Sequence, residues 1–260
     1  MIVIVCSLDD GNAMRKIFER EMQGVGNDLI EMSIAVHDAI SNAGQALLTS
    51  DYLLAQKVIA ADEKIDQMQR DLDERCVHIL AQQAPVATDL RTLVAAFRMS
   101  ATLERMGDLA RHIAEIARSR YPDPAVRPEF QPVFEKMVDA ATHAAVEVTA
   151  ILRSRDLEQA ALIQRNDATL DDLHMETFAT LFDPAWEGTA HEAVDITLLG
   201  RFLERFGDHA TSIARRIVFL VTGEHLPRND GTRQERYYPH PDGYGDGGWL
   251  PTQDAEDVPD

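Results

Sequence analysis

The sequence predicts an all-α protein made of two tandem three-helix bundles that are related by internal duplication. Apolar residues recur at spacings of three and four almost everywhere in residues 18–221, and this spacing is typical of amphipathic helices. No stretch of any length shows the alternation of apolar and polar residues that indicates a β-strand. The second half of the helical pattern also repeats the first at a nearly constant offset, as expected when one structural unit has been duplicated.

Three helices are predicted in the first half of the chain. Lines of apolar residues span 18–47, 54–79 and 90–113, one for each helix. Three prolines between residues 122 and 128 follow the third line. Because proline lacks a backbone donor and clashes with the preceding helical turn, these residues end the third helix and indicate a linker.

The second half is predicted to contain three more helices, over 130–151 and roughly over 156–182 and 189–221. An offset of 105 places the fourth helix on the first, and an offset of 100 places the sixth on the third. In the second alignment, residues 103–114 and 203–214 are identical at eight of twelve positions. This agreement predicts that the two halves share one fold.

The repeat divides the chain into four regions. The first bundle is predicted over 14–121 and the second over 127–221. Residues 1–13 are predicted to be an N-terminal extension, either a short strand or a segment upstream of the true initiator, Met14. Residues 222–260 contain nine acidic and three basic residues, together with six glycines and five prolines. They are predicted to form a disordered acidic tail, because they offer little apolar surface to bury.

The charge of the chain narrows its possible functions. Its 44 acidic residues outnumber its 25 basic residues, which gives a net charge of −19. Nucleic-acid binding is not expected, because affinity for phosphate backbones comes from an excess of cationic side chains. No apolar run approaches the ~18 residues that span a bilayer, so direct membrane insertion is not expected. With two cysteines and no signal-peptide pattern, the expected location is the cytoplasm.

Each half carries two pairs of acidic residues at a spacing of four, at equivalent places on its second and third helices. The eight acids are Asp62, Asp66, Glu104 and Asp108 in the first half and Asp167, Asp171, Glu204 and Asp208 in the second. Residues four apart lie on one side of a helix, and several of these acids border apolar lines, where a carboxylate is costly unless it is neutralised. Two facing pairs would offer up to about eight oxygen atoms to a cation or a small metal cluster. We therefore predict metal sites, and oxygen ligands favour Fe, Mn, Mg or Ca.

The acidic pair of the sixth helix is less clearly placed than its counterpart in the third. Leu198, Phe202 and Phe206 line a different face from Glu204 and Asp208. The sixth helix is therefore either buried on two sides or exposes its acidic face to water. A helical scaffold whose acids are only solvated is the simplest alternative to a metal site.

Other residues near the acids have two interpretations. Gly107 and its counterpart in the second half allow either close helix packing, the simpler explanation, or room for a metal or a partner. Arg105 and its counterpart either balance the carboxylate charge or are surface residues. His112 and His174 lie three or four residues after an acid and are predicted to be surface residues rather than ligands.

Signals of catalysis are missing from the sequence. Diiron carboxylate bundles use Glu-x-x-His on two helices, and the chain contains no Glu-x-x-His. It also lacks a glycine-rich phosphate loop and a nucleophile elbow. An enzyme is therefore not predicted. A metal-dependent enzyme or a metal-storage bundle that uses the same carboxylates is the alternative.

The repeated motifs resemble those of the PhoU family. The segments that carry the resemblance are L-E-R-x-G-D-x-A-x-x-I-A at 103–114 and 203–214, D-x-x-I/L-D at 62–66 and 167–171, and A-P-V-A-T-D-L-R at 84–91. The resemblance implies tandem three-helix bundles whose E(D)-x-x-x-D motifs bind metal clusters, with the eight acids named above as ligands. The second half lacks a P-x-x-x-D-L-R segment, so its metal or partner binding is expected to differ.

The resemblance also implies a function. It implies a cytoplasmic regulator that links the ATPase subunit of a phosphate ABC transporter to a phosphate-sensing histidine kinase. Such a regulator restrains phosphate uptake and the phosphate-starvation response when phosphate is plentiful. An accessory protein of a different anion transporter is an alternative. Apolar faces on the third helix of each half make a homodimer the expected assembly.

Overall fold

Six α-helices make up most of the chain that the structure describes. This computed structural model describes residues 8–224, except for the side chains of 8–14 and 164–167. The helices are α1 (Leu8–Thr49), α2 (Tyr52–Gln83), α3 (Ala87–Arg120), α4 (Gln131–Ser154), α5 (Leu157–Leu181) and α6 (Ala190–Thr222). No strand occurs within residues 8–224, and the predicted all-α class is confirmed. None of these described helices combines the length and the apolarity that a membrane span requires.

Polar caps set the starts of three helices. Asp51 precedes α2 and Asp156 precedes α5, and each carboxylate accepts a hydrogen bond from a backbone N–H of the first turn, at 2.9 and 2.8 Å. Before α6, Thr189 and Glu192 form a reciprocal capping box. These contacts satisfy donors that the first turn of a helix leaves without intrahelical partners.

The six helices form two bundles that share one core. α1, α2 and α3 pack together, as do α4, α5 and α6, and contacts of α1 with α4 and of α3 with α6 join the bundles. One continuous cluster of buried apolar residues runs through both. Hydrogen bonds also cross the junction, from Arg216 Nη1 to Thr102 Oγ1 at 2.7 Å and between the hydroxyls of Ser33 and Thr149 at 3.0 Å. The predicted tandem arrangement is confirmed.

Two details differ from the sequence prediction. The structure begins α1 at Leu8, so residues 8–13 are helical, whereas the sequence pattern opens the first helix at Met14. On α3, Leu90 and Phe97 belong to the predicted apolar line but are 41% and 37% exposed, while Leu93 is fully buried. Residues 1–7 and 225–260, with most of the predicted acidic tail, lie outside the described residues, and the predicted domain boundaries stay predictions.

Candidate functional site

The four predicted acids of the first bundle lie close enough for their charges to interact. Asp62 and Asp66 belong to α2, and Glu104 and Asp108 belong to α3, which packs against α2. Burial raises the pKa of Glu104, and the charges of the other three acids raise it further. Because charge repulsion falls with distance, this effect places the four carboxylates in one region. We call these four residues the first acidic cluster.

Close approach of α2 and α3 encloses one member of this cluster. The side chain of Asp62 is only 11% exposed. Opposite it, a Cβ atom added to Gly107 would lie 3.0 Å from Cδ1 of Ile65 and 3.5 Å from Oδ1 of Asp62. Gly107 therefore lets the two helices approach at the level of Asp62, which is the packing interpretation of this glycine.

Arg111, which the sequence did not mark, donates to three carboxylates at this site. Its Nε donates to Oδ2 of Asp62 at 2.5 Å, and its Nη2 donates to Oδ1 of Asp108 at 2.7 Å. Its Nη1 donates to Oε1 of Glu115 at 2.8 Å.

Burial raises the pKa of Asp62, and the guanidinium of Arg111 partly offsets that rise. The hydrogen bond that Arg111 donates to Asp108 is the largest of the effects that raise the pKa of Arg111. Arg105, for which the sequence allowed either a counter-ion or a surface residue, is exposed and lowers the pKa of Glu104 through its charge.

The carboxylate oxygens of the first acidic cluster are ligands that hard cations prefer, but in this structure Arg111 holds two of these carboxylates in place. Among the side chains that the structure describes, no three His, Cys, Asp or Glu residues converge as the ligands of a metal ion would. Arg111 bridges Asp62 and Asp108, and its single positive charge offsets part of their combined negative charge. A metal would fit these oxygens only after Arg111 had turned away and the carboxylates had converged. The structure thus gathers the four predicted residues, and metal binding itself stays a prediction.

In the second bundle, three of the four predicted acids lie near one another. Asp171 is on α5, and Glu204 and Asp208 are on α6. Burial raises the pKa of Glu204, and the charges of Asp208 and Asp171 raise it further. Arg201, one turn earlier on α6, forms an ion pair with Glu204 that partly offsets this rise. Asp167 belongs to α5, but its side chain lies outside the described residues. We call Asp167, Asp171, Glu204 and Asp208 the second acidic cluster.

α6 is buried on both its apolar and its acidic side. On the apolar side Phe206 is fully buried, although Leu198 near the start of the helix is 40% exposed, and on the acidic side Glu204 is 7% and Thr211 is 2% exposed. Burial on two sides, one of the two sequence alternatives, is therefore confirmed, and a water-exposed acidic face is wrong for Glu204.

The arginines that pair with the two acidic clusters lie at positions that are not equivalent in the repeat. With the offset of 100, Arg111 aligns with Thr211 and Arg201 aligns with Ala101. The duplication therefore gave no signal for either arginine. The local signal that could have found both is their spacing of three residues from Asp108 and Glu204, since such residues are neighbours on a helix surface.

The two histidines beside the acids are not surface residues, so that prediction is wrong. His174 is 8% exposed, and burial lowers its pKa to about 4. Its Nε2 has no hydrogen-bond partner among the described residues. His112 is half-buried, and its ring centroid lies 5.3 Å from that of Phe202 on α6. Both side chains pack between helices, which the sequence spacing alone does not reveal.

Comparison with known families identifies the repeated bundle. The family model described as "PhoU domain" matches residues 29–117 and 134–217. Together the two matches cover more than half of the chain. This chain belongs to the PhoU family. Each PhoU domain falls within one set of three helices, so the family repeat and the two bundles coincide.

Curated PhoU proteins are similar to this chain over nearly their whole length. The phosphate-specific transport system accessory protein PhoU homolog 2 of Mycobacterium bovis is 41% identical over 210 residues, which cover 81% of this chain and 99% of that protein. The corresponding PhoU homolog 1 of Mycobacterium leprae is 40% identical over 217 residues, which cover 84% of this chain and 97% of that protein.

Solved PhoU structures have the same fold. The crystal structure of PhoU from Pseudomonas aeruginosa superposes with a TM-score of 0.72 at 29% identity, and covers 80% of this chain and all of that one. The PhoU structure from Streptococcus pneumoniae also gives 0.72, over 81% of this chain and 99% of that one, and at 22% identity it shows the fold alone.

Proposed function

We propose that this chain is an accessory protein of a phosphate transport system, and that it acts as a regulator rather than a catalyst. The observation that carries the proposal is the 41% identity to a phosphate-specific transport system accessory protein along 99% of that protein. In this role the protein restrains phosphate uptake and the phosphate-starvation response while phosphate is plentiful.

The proposed partners are the ATPase subunit of the phosphate ABC transporter and a phosphate-sensing histidine kinase, which the protein would meet in the cytoplasm. Exposed apolar side chains such as Phe97 of α3 and Leu198 of α6 are of the type that protein contacts cover. A homodimer is part of the same proposal. Co-purification of both partners with the tagged full chain is expected, and light scattering that finds only monomer would contradict the dimer.

In this proposal the two acidic clusters are metal sites that stabilise the bundles. The ligands would be Asp62, Asp66, Glu104 and Asp108 in the first bundle and Asp167, Asp171, Glu204 and Asp208 in the second. Their oxygens suit Fe, Mn, Mg or Ca. A bound ion would supply positive charge between helices where burial and mutual repulsion raise the pKa of the carboxyl groups of Glu104 and Glu204.

A phosphate-starvation reporter in a strain that lacks this gene, grown with plentiful phosphate, tests the function. We expect the deletion to switch the reporter on and the wild-type chain to silence it again. A reporter that stays silent in the deletion strain would contradict the regulatory function.

Two double variants test the contribution of the first acidic cluster. Glu104→Ala/Asp108→Ala is expected to leave the reporter on and to lower the metal content of the purified chain, measured by inductively coupled plasma mass spectrometry. Glu135→Ala/Asp139→Ala removes the same charge at the same spacing from an exposed face of α4, and it should behave like wild type. Equal metal content in all three proteins would show that the cluster binds no metal.

A further inference from the structure

A cavity of about 590 Å³ lies between α3 and α6, where the two bundles meet. Four arginines line it, Arg91 and Arg98 from α3 and Arg215 and Arg216 from α6. This concentration of positive charge occurs in a chain whose overall net charge is −19. We call it the arginine cavity.

The guanidinium groups of this cavity have few partners within the protein. None of the four forms an ion pair with a carboxylate among the side chains of residues 15–163 and 168–224. The buried Nε of Arg91 has no hydrogen-bond partner in the same range. Arg216 donates only to the hydroxyl of Thr102, at 2.7 Å. Burial lowers the pKa of Arg216, and the charges of Arg98 and Arg105 lower it further.

Clustered arginine is costly, because like charges repel. Arg91, Arg215 and Arg216 are also half-buried, whereas Arg98 is exposed, and half-buried donors lose part of their hydrogen bonding to water. An oxyanion in the cavity would remove both costs. The planar guanidinium matches phosphate or carboxylate oxygens with two parallel hydrogen bonds. Four guanidinium groups carry more positive charge than one carboxylate or one phosphate would neutralise. The cavity therefore favours a ligand with several linked phosphates over a ligand with one anionic group.

Apart from Ser212, the remaining walls of the cavity are apolar. Leu90 and Val94 of α3 line it and are 41% and 42% exposed. The guanidinium carbon of Arg91 lies 5.6 Å from the centre of the Phe219 ring on α6. Cavities of about 300–1,000 Å³ with apolar walls and a few charged groups are typical of small-molecule sites. The apolar side thus suits an organic group that is attached to the phosphates.

We propose that the arginine cavity binds an organic polyphosphate, that is, a small molecule with two or more linked phosphates joined to an aromatic or apolar group. Because α3 belongs to one bundle and α6 to the other, the ligand would bridge the two bundles. The site is separate from both acidic clusters and does not depend on the proposed metal binding or on the proposed regulatory function.

Isothermal titration of the full chain with ATP, pyrophosphate and adenosine in the presence of EDTA tests the proposal. EDTA prevents metal ions from linking phosphates to the acidic clusters. We expect ATP to bind at one site per chain, pyrophosphate to bind more weakly, and adenosine not to bind. Binding of ATP should weaken as salt is added, because charges attract one another less at high ionic strength.

Variants locate the binding site. Arg98→Ala and Arg215→Ala should each weaken ATP binding about ten- to hundredfold, the effect of losing a charge-assisted hydrogen bond. Arg215→Lys should restore part of the loss, because lysine keeps the charge but not the planar fork. Arg153→Ala, an exposed arginine on α4, removes one charge elsewhere and should bind ATP like wild type. Circular dichroism confirms that each variant is folded.

Several results would overturn the proposal. They are no ATP binding by the folded full chain, equal weakening by Arg153→Ala and Arg215→Ala, and pyrophosphate binding as tight as that of ATP. Tighter binding of a short polyglutamate peptide than of ATP would assign the cavity to carboxylates and would overturn it as well.

Discussion

At the scale of single residues, the first acidic cluster depends on a guanidinium that bridges the helices. Arg111 joins Asp62 of α2 to Asp108 of its own helix. A charge that loses its partner in a half-buried site keeps its desolvation cost. The same arginine competes with any metal ion for these oxygens. Its removal should therefore lower the stability of the metal-free chain and raise the affinity for metal.

The substitution Arg111→Ala tests this competition. We expect the free energy of unfolding without metal to fall by about 1–3 kcal/mol, because a charged hydrogen-bond partner is lost. We expect the rise in melting temperature that saturating Mn²⁺ produces to be larger in Arg111→Ala than in wild type. Arg118→Ala is the control, since Arg118 of the same helix donates to the amide of Gln56 and not to an acid. A smaller Mn²⁺ effect in Arg111→Ala would contradict the competition.

Burial of His174 makes stability depend on pH. Its pKa is about 4 in the folded chain and about 6.5 in the unfolded chain, so the unfolded chain binds more protons between these values. The free energy of unfolding should therefore decrease as pH falls from about 6.5 to about 4, by up to about 3 kcal/mol from this residue. Arg201 adds to the effect, because its positive charge also disfavours the protonated imidazole.

Urea denaturation at several pH values measures this contribution. His174→Gln has no imidazole to protonate, so its stability should fall less steeply than that of wild type between pH 6.5 and 4. The exposed His78 of α2 provides the control His78→Gln, whose slope should match wild type. Parallel slopes for all three proteins would show that His174 contributes nothing to acid sensitivity.

At the scale of helices, two glycines of α1 have opposite roles. A Cβ atom added to Gly44 would lie 2.3 Å from Cγ1 of Val138 on α4, whereas one added to Gly26 would meet nothing within 4 Å. Alanine favours a helix over glycine by about 1 kcal/mol, and overpacking a core costs about 1–3 kcal/mol. The helix propensity wins at Gly26, and the clash wins at Gly44.

Paired alanine substitutions should therefore change stability in opposite directions. Gly26→Ala is expected to raise the free energy of unfolding by up to about 1 kcal/mol, and Gly44→Ala to lower it by about 1–3 kcal/mol. Gly44→Ala/Val138→Ala should recover part of the loss, because the smaller side chain removes the clash. Chemical denaturation measures all three. A stabilising Gly44→Ala would mean that α1 and α4 are less closely packed than the structure shows.

At the scale of the whole molecule, the duplicated bundles form one cooperative unit. Their buried apolar residues belong to one cluster, and an ion pair between Arg120 of α3 and Asp195 of α6 adds to the junction. A domain that shares its core with another cannot unfold without exposing apolar surface on its neighbour. The two halves should therefore unfold together, although the repeat alone would allow two independent domains.

Calorimetry and hydrogen exchange test this cooperativity. We expect one thermal transition whose calorimetric and van't Hoff enthalpies agree. Phe134→Ala, at a fully buried position of α4, should destabilise the chain by about 3–5 kcal/mol. It should also speed exchange in α2 of the other bundle, whereas the exposed substitution Arg153→Ala should not. Two transitions, or unchanged exchange in α2, would show that the bundles unfold independently.

The sequence by itself determined the features that depend on local order along the chain. Apolar spacing and prolines predicted six helices, the offsets of 105 and 100 predicted two equivalent bundles, and pairs such as Glu104 and Asp108 predicted where carboxylates would gather. Each of these signals lies within one helix or compares two stretches position by position. Local spacing and self-similarity are sufficient to read them.

Only the tertiary structure decided which groups from distant parts of the chain meet. Arg111 contacts Asp62 from 49 residues away, and Arg98 and Arg215 come together because α3 packs against α6. His174 is buried because a neighbouring helix covers it, and no local signal distinguishes it from an exposed histidine. Such contacts depend on how whole helices pack. The acids could therefore be named from the sequence, whereas the contact between Arg111 and Asp62 and the arginine cavity could not.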